Sequence, residues 1–349
     1  MEFRRILVRA TNWVGDAVMS VPALQALRER YPAARISILA RSWVAGLYGS
    51  ENFCDELIPY ETPRGWRGLA EKHGIAARLH GRFDCAILLQ NAFEAAALVR
   101  WAGIPTRIGY ARDGRAWLLS HPIPVPVVGE TPRHQRFYYL ELLKRARLIG
   151  EYDTSEPIRL RGAAVLAARG RERLQAAFGS RRVIGVSPGA AYGGAKRWLP
   201  ERFAEAAVQV ARERDAGVAV FGAAAESDVC EAVRAKVCAA GEACASFAGA
   251  TELSEFIEMA AACDLFLTND SGPMHIASAL GVPTVVVFGA TDEEATGPTG
   301  VHSRVVREPV ECSPCLLREC PIDHRCMTRV SAERVARTAL DLVGIERNK

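Results

Sequence analysis

Short apolar runs recur along this chain and alternate with stretches whose apolar positions fall at helical spacing. In the first half, residues 5–10, 35–40, 85–89 and 107–110 read as strands, and in the second half 182–189, 217–222, 265–270 and 283–289 do so. The runs are continuously apolar, the pattern of parallel strands covered on both faces. Residues 21–32 predict a helix, because Val21, Leu24 and Leu27 recur at helical spacing and Pro32 stops it. Further helical stretches lie at 200–214, 226–239, 251–262 and 272–281. Strand–helix alternation predicts βαβ units and doubly wound sheets, hence an α/β fold. Two such series predict two similar domains. The polar, proline-containing stretch 150–157 separates them, giving domains 1–155 and 156–330. A last helix at 331–344 carries Ser331 as cap and Glu333 in its first turn, and 331–349 could cross back onto the first domain.

Composition changes this picture little. A length of 349 residues suits two domains, and 49% hydrophobic with 24% charged residues suits soluble globular units. The net charge of +4 does not call for a nucleic-acid partner. Its distribution is uneven: residues 1–155 hold 21 Lys and Arg against 15 Asp and Glu, and the remainder 23 against 25. A basic first half suits an acidic substrate or an anionic membrane surface, and scattered solvated charge accounts for it equally well. No apolar run is long enough to span a bilayer, and Ile6 to Val8 leads straight into a polar motif, as a first strand does and a signal peptide does not. The expected compartment is therefore the cytoplasm, with ten reduced cysteines.

Five segments have candidate chemistry. In "TNWVGDAVMSVPAL" (11–24), a loop leaves the carboxyl end of the first strand, where open α/β sheets bind ligands. Gly15 permits close backbone approach or positive φ. Asp16 stands just before the expected helix, either as its cap or as a general base at the mouth of an inter-domain cleft. No dinucleotide fingerprint or Walker sequence follows the strand, which disfavours a nicotinamide dehydrogenase or a P-loop ATPase. In "SPGAAYGGAKRW" (187–198), Gly189, Gly193 and Gly194 can bring backbone N–H groups to an anion beside Lys196 and Arg197, the combination a diphosphate wants. A solvated surface loop is the plainer reading.

In "TNDSGPMHIASALGVP" (268–283), a strand ends at Asn269-Asp270-Ser271-Gly272, and a helix is expected from about Pro273. Ser271 or Asp270 can cap it, and its free N–H groups would suit phosphate. His275 early in that helix reads more readily as a packing or hydrogen-bonding residue than as a catalyst. Glu226 follows a strand closely and could accept two ribose hydroxyls, or simply favour a helix dipole. Finally, "CSPCLLRECPIDHRC" (312–326) gathers Cys312, Cys315, Cys320 and Cys326 with His324. One Cys-x2-Cys pair hints at zinc or an iron–sulfur site, but the later spacings do not repeat it, and no metal is assigned.

Together these residues resemble a known family. "ILVRATNWVGDAVMSVPAL", "PGAAYGGAKRW" and "TNDSGPMHIASALGVPTVVVFG" are similar to three signatures of the ADP-heptose:lipopolysaccharide heptosyltransferases, glycosyltransferase family 9. "NWVGD", "GAKRW" and the late cysteine segment point to the heptosyltransferase II subgroup, and the likeness runs from about residue 3 to 330. The resemblance implies a GT-B fold, two Rossmann-like domains facing across a cleft, with acceptor on the first and nucleotide sugar on the second. It implies inverting transfer of L-glycero-D-manno-heptose from ADP-heptose to the first heptose of the lipopolysaccharide inner core. Carried to matching positions, it makes Asp16 the base, with Lys196 at the diphosphate, Glu226 at the ribose, and Asp270, Ser271 and Gly272 at the diphosphate or heptose, while Arg197 is kept as a substrate-binding residue from its charge beside the loop. Gly15 and His275 join the substrate-binding set. A carboxylate at position 270 would repel phosphate unless it binds sugar hydroxyls or caps the helix. No Asp-x-Asp metal motif occurs and no cofactor is required. The implied partners are ADP-heptose and an acceptor of the heptosyl-Kdo2-lipid A type, with peripheral association at the cytoplasmic face of the inner membrane. The alternatives are addition of the first heptose to Kdo, another nucleotide-sugar enzyme such as an epimerase, a hydrolase, or a redox or binding module built on the cysteines.

Overall fold

The computed structural model describes residues 2–61 and 66–345. The chain divides into two compact units, Met1–Glu156 and Pro157–Lys349. In the first, strands β1 (Arg5–Arg9), β2 (Arg35–Arg41), β3 (Glu56–Tyr60), β4 (Cys85–Leu88), β5 (Thr106–Tyr110) and β6 (His121–Ile123) form one sheet in the order β3-β2-β1-β4-β5-β6. The second holds β7 (Arg182–Ser187), β8 (Ala216–Val220), β9 (Cys244–Ser246), β10 (Leu265–Asn269), β11 (Thr284–Phe288) and β12 (Ser303–Arg307), in the order β12-β11-β10-β7-β8-β9. Read from its other edge, the second order repeats the first position for position. The strand pairings are parallel in both sheets. This is the doubly wound α/β architecture the alternation predicts.

The eight apolar runs became the interior strands. The four strands the pattern did not reveal, β3, β6, β9 and β12, are the sheet edges. Each is partly exposed, so none needs a continuous apolar run. Both units also start an interior strand in the same way. Asp84 stands before β4, accepts the Arg5 N–H on Oδ2 at 2.9 Å and donates its own N–H to the Arg5 carbonyl. Asp264 does the same with Val183 before β10. Each aspartate satisfies a strand-end N–H that would otherwise be left over, and so sets the register of two neighbouring strands.

The second unit's core joins Val186, Val218, Leu267 and Val285 from its strands to Trp198 and Phe203. Val335, Ala336, Ala339, Leu342 and Val343 of the closing helix Ala332–Ile345 complete it. That helix lies on helix Pro200–Arg214 and strands β11 and β12. The crossing to the first domain allowed for residues 331–349 is corrected accordingly: the described part of the helix belongs to the second unit. Its apolar stripe finds a complete partner face there, and each large side chain so buried contributes roughly 1.5–3 kcal/mol.

Candidate functional site

In each sheet the winding reverses between the two central strands, β1 and β4 or β7 and β10. Loops diverge at the carboxyl ends of such a pair and leave a crevice there. Asp16 follows β1, the loop 187–198 follows β7, and Asp270 follows β10 directly. Three sequence candidates thus occupy equivalent switch points of two alike units.

In the first unit, the helix begins earlier than expected. Helix Val14–Met19 takes in both Gly15 and Asp16, and Trp13 is its N-cap. Asp16 is therefore not the cap but a first-turn residue. Gly15 is helical, so positive φ is not what it supplies. Asp16 is half-buried, and Oδ1 accepts a hydrogen bond from the Tyr139 hydroxyl at 3.3 Å. Tyr139 lies in helix Arg136–Arg145 and is 3% exposed. Burial, and then the Asp16 charge, push its hydroxyl well above the ordinary tyrosine value, so it stays a proton donor.

Arginines organise the surrounding loops. Arg9, fully buried at the end of β1, donates to Asn12 Oδ1 at 2.9 Å and lies over the Tyr60 ring. Arg41, at the end of β2, lies over the same ring and pairs with Glu94, which Lys72 also reaches at 2.7 Å. Arg115, fully buried, donates to Asn91 Oδ1 at 3.1 Å and to the Tyr110 and Gln90 carbonyls. Burial lowers its guanidinium to about 10. None of these was singled out from sequence. The available signal was a charged residue, Arg9, closing an otherwise apolar run.

In the second unit, the two switch-point loops are tied by Asn269, which is fully buried. Its Oδ1 accepts the Trp198 N–H at 2.9 Å, and its Nδ2 donates to the Pro188 carbonyl at 2.7 Å. Lys196 and Asp270 are brought together by this tie: Nζ reaches Oδ2 at 2.6 Å, with side chains 14% and 5% exposed. Lys196 also sits over the Tyr192 ring, 4.9 Å from its centroid. Ser271 is the N-cap of helix Gly272–Ala279, but its hydroxyl bonds to the Asn269 carbonyl and Thr268 instead of capping. With no cap bond from Ser271, the helix start at Gly272 is open to an anion. His275 is 6% exposed within it, a packed position.

Glu226 ends a single 3-10 turn, Ala224–Glu226, and its Oε2 accepts the Ala223 N–H at 2.9 Å. Its carboxylate fills the space beside Gly189, where an added Cβ would lie 2.2 Å from the carboxyl carbon. Glycine at 189 is thus what admits Glu226 to the loop carrying Lys196. The Arg197 guanidinium donates to the Ala190 carbonyl at 3.2–3.3 Å and so braces its own loop.

Part of the expected cradle of loop amides is already engaged. The Gly194 N–H goes to Glu319 at 3.0 Å and the Ala195 N–H to the Arg318 carbonyl at 2.9 Å. Both partners lie in the cysteine segment, which further accepts from the Tyr192 hydroxyl at Leu316 and meets the Ala195 carbonyl through His324. The segment therefore acts as a strap on the loop. Burial first, and then neighbouring Cys312, Cys315 and Cys320, push the Cys326 thiol up. All four cysteines are free thiols, and among the described residues no group of three or more His, Cys, Asp or Glu is gathered to hold a metal ion.

The chain is similar to known proteins. The model for glycosyltransferase family 9 (heptosyltransferase) matches residues 73–325. Lipopolysaccharide heptosyltransferase 2 of Salmonella typhimurium is 31% identical over 309 residues, covering 87% of this chain and 88% of that one. The structure of the Escherichia coli ADP-heptose lipopolysaccharide heptosyltransferase II superposes with a TM-score of 0.82 at 28% identity, covering 98% and 99% of the two chains. Lipopolysaccharide heptosyltransferase 1 of Pseudomonas aeruginosa is 24% identical, with 95% and 96% covered.

Proposed function

This chain belongs to glycosyltransferase family 9, and from that premise we propose that it transfers heptose from ADP-heptose to the first heptose of the lipopolysaccharide inner core. The observation that carries the donor half is the Lys196–Asp270 pair at the β7/β10 switch point, beside an uncapped helix start and a loop that admits Glu226. The greater likeness to heptosyltransferase 2 than to heptosyltransferase 1 supports the second-heptose acceptor.

In the proposed reaction, the acceptor hydroxyl gives its proton to Asp16 as its oxygen bonds to the anomeric carbon. The bond from that carbon to the ADP oxygen breaks on the opposite face, and ADP leaves with the electron pair, which inverts the configuration. Lys196 and the free N–H groups at Gly272 take up the charge that grows on the diphosphate. Glu226 accepts the ribose hydroxyls, and Asp270 accepts a sugar hydroxyl. The basic surplus of residues 1–155 supports an anionic acceptor at a membrane surface. The same surplus supports the reading of peripheral association at the cytoplasmic face; no helix among the described residues is long and apolar enough to cross a membrane.

The deciding experiment offers ADP-heptose with acceptors truncated before and after the first heptose. Transfer to the longer acceptor alone is expected. Transfer to the Kdo-terminated one alone would replace this reading with addition of the first heptose.

A further inference from the structure

Asp270 Oδ2 receives two donors from two different loops. One is the Lys196 ammonium at 2.6 Å, and the other is the Thr291 hydroxyl at 2.5 Å. Among the described residues no donor reaches Oδ1, although the side chain is only 5% exposed. Thr291 stands three residues beyond β11, on a loop whose Gly289 and Ala290 carbonyls are gripped by Ser313 at 2.6 Å and by the Leu316 N–H at 2.8 Å. The same strap that braces the Lys196 loop therefore fixes Thr291.

A diphosphate arriving at Lys196 competes with Asp270 for the ammonium. Were Lys196 the only donor to Oδ2, its turn toward phosphate would strand a buried carboxylate, which is costly. A neutral hydroxyl on the same oxygen removes that conflict. It keeps Oδ2 bonded while Lys196 turns, and it leaves Oδ1 as the oxygen open to a sugar hydroxyl. We propose that Thr291 is a positioning residue for donor binding, acting through Asp270. This rests on the donor-binding reading of Lys196 and Asp270 given above.

The test compares Thr291→Val, which keeps the shape and loses the hydroxyl, with Thr291→Ser, which keeps the hydroxyl. Thr291→Ala stands in should the valine variant fail to fold. The expected result is an ADP dissociation constant and an ADP-heptose KM raised about tenfold in Thr291→Val, with acceptor KM unmoved and most of the loss recovered in Thr291→Ser. In an Asp270→Asn background the valine change should have little further effect, which a merely structural threonine would not show. Unchanged ADP affinity, or the same loss with and without Asp270, overturns the proposal. Calorimetry with ADP reads this whether or not heptose is transferred, whereas a wild-type protein inactive with ADP-heptose sinks the functional reading instead.

Discussion

The Tyr139 hydroxyl donates to Asp16 Oδ1 at 3.3 Å, joining positions 123 residues apart in the chain. The bond steadies the carboxylate that serves as base in the proposed reaction. Asp16→Asn keeps the shape but cannot take a proton, so kcat should fall by about a thousandfold while ADP affinity holds. Tyr139→Phe should lower kcat by a smaller factor, because it loosens the base without removing it. Near-wild-type turnover in Asp16→Asn would withdraw the base assignment.

Gly189 is a second lever. An added Cβ would meet the Glu226 carboxyl carbon at 2.2 Å. The far end of a glutamate can swing away, so Gly189→Ala should cost little stability. It should instead weaken ADP binding to about the level of Glu226→Ala, roughly tenfold. Calorimetry on both single variants and the double decides it. Independent, additive losses would separate the two residues.

Gly193→Ala should behave differently, since its Cβ would lie 2.2 Å from the Arg318 backbone oxygen. Backbone yields less readily than a side-chain tip. Overpacking of this kind costs about 1–3 kcal/mol and should part the strap from the Lys196 loop. Thermal unfolding should show the loss, accompanied by weaker ADP binding. A variant as stable as wild type would show the strap to be a bystander.

Lys196→Ala should raise the ADP-heptose KM by about tenfold or more and leave the acceptor KM in place. A cation and helix N–H groups neutralise the leaving diphosphate in the proposed reaction, so EDTA should leave turnover intact. A rise confined to acceptor KM, or loss of activity restored by a divalent ion, would count against this division of roles.

Stability of the first unit should depend on acid. Burial works to raise Asp84, but hydrogen bonds from the Arg5 side chain and from the Arg4 and Arg5 N–H groups outweigh it, and the carboxyl ends below its ordinary value. The unfolded chain then binds more protons as pH falls through about 4, so the stabilisation is whole above that value and fades through the lower folded one. Melting temperatures should drop as pH falls below about 4. Asp84→Asn should flatten that drop, and an unchanged slope would remove Asp84 from the account.

How far the sequence could be read depends on the element. Interior strands were legible because burial on both faces demands continuous apolar runs, as at 182–189 and 265–270. Edge strands such as Ser303–Arg307 escaped because a half-solvated strand tolerates charge. The helix start at Val14 escaped as well: Asp16 looked like a cap, but Trp13 holds that position with extended backbone and no capping side chain. Asp270 and Lys196 were visible as residue types, whereas the Asn269 tie between their loops was not, because an asparagine in a strand-end motif has many ordinary uses.

Residue identity alone determined the two βαβ series, the glycine-bearing loops after their central strands, and the carboxylate and lysine that carry the proposed chemistry. These follow from local periodicity and from what each side chain can donate or accept. Tertiary structure decided which partners those groups meet: Asp270 with Lys196 and Thr291, Asp16 with Tyr139, and the cysteine segment with the loop amides it occupies. Such pairings join segments tens to more than a hundred residues apart. They are set by packing and hydrogen-bond satisfaction in the folded chain, which no local pattern records.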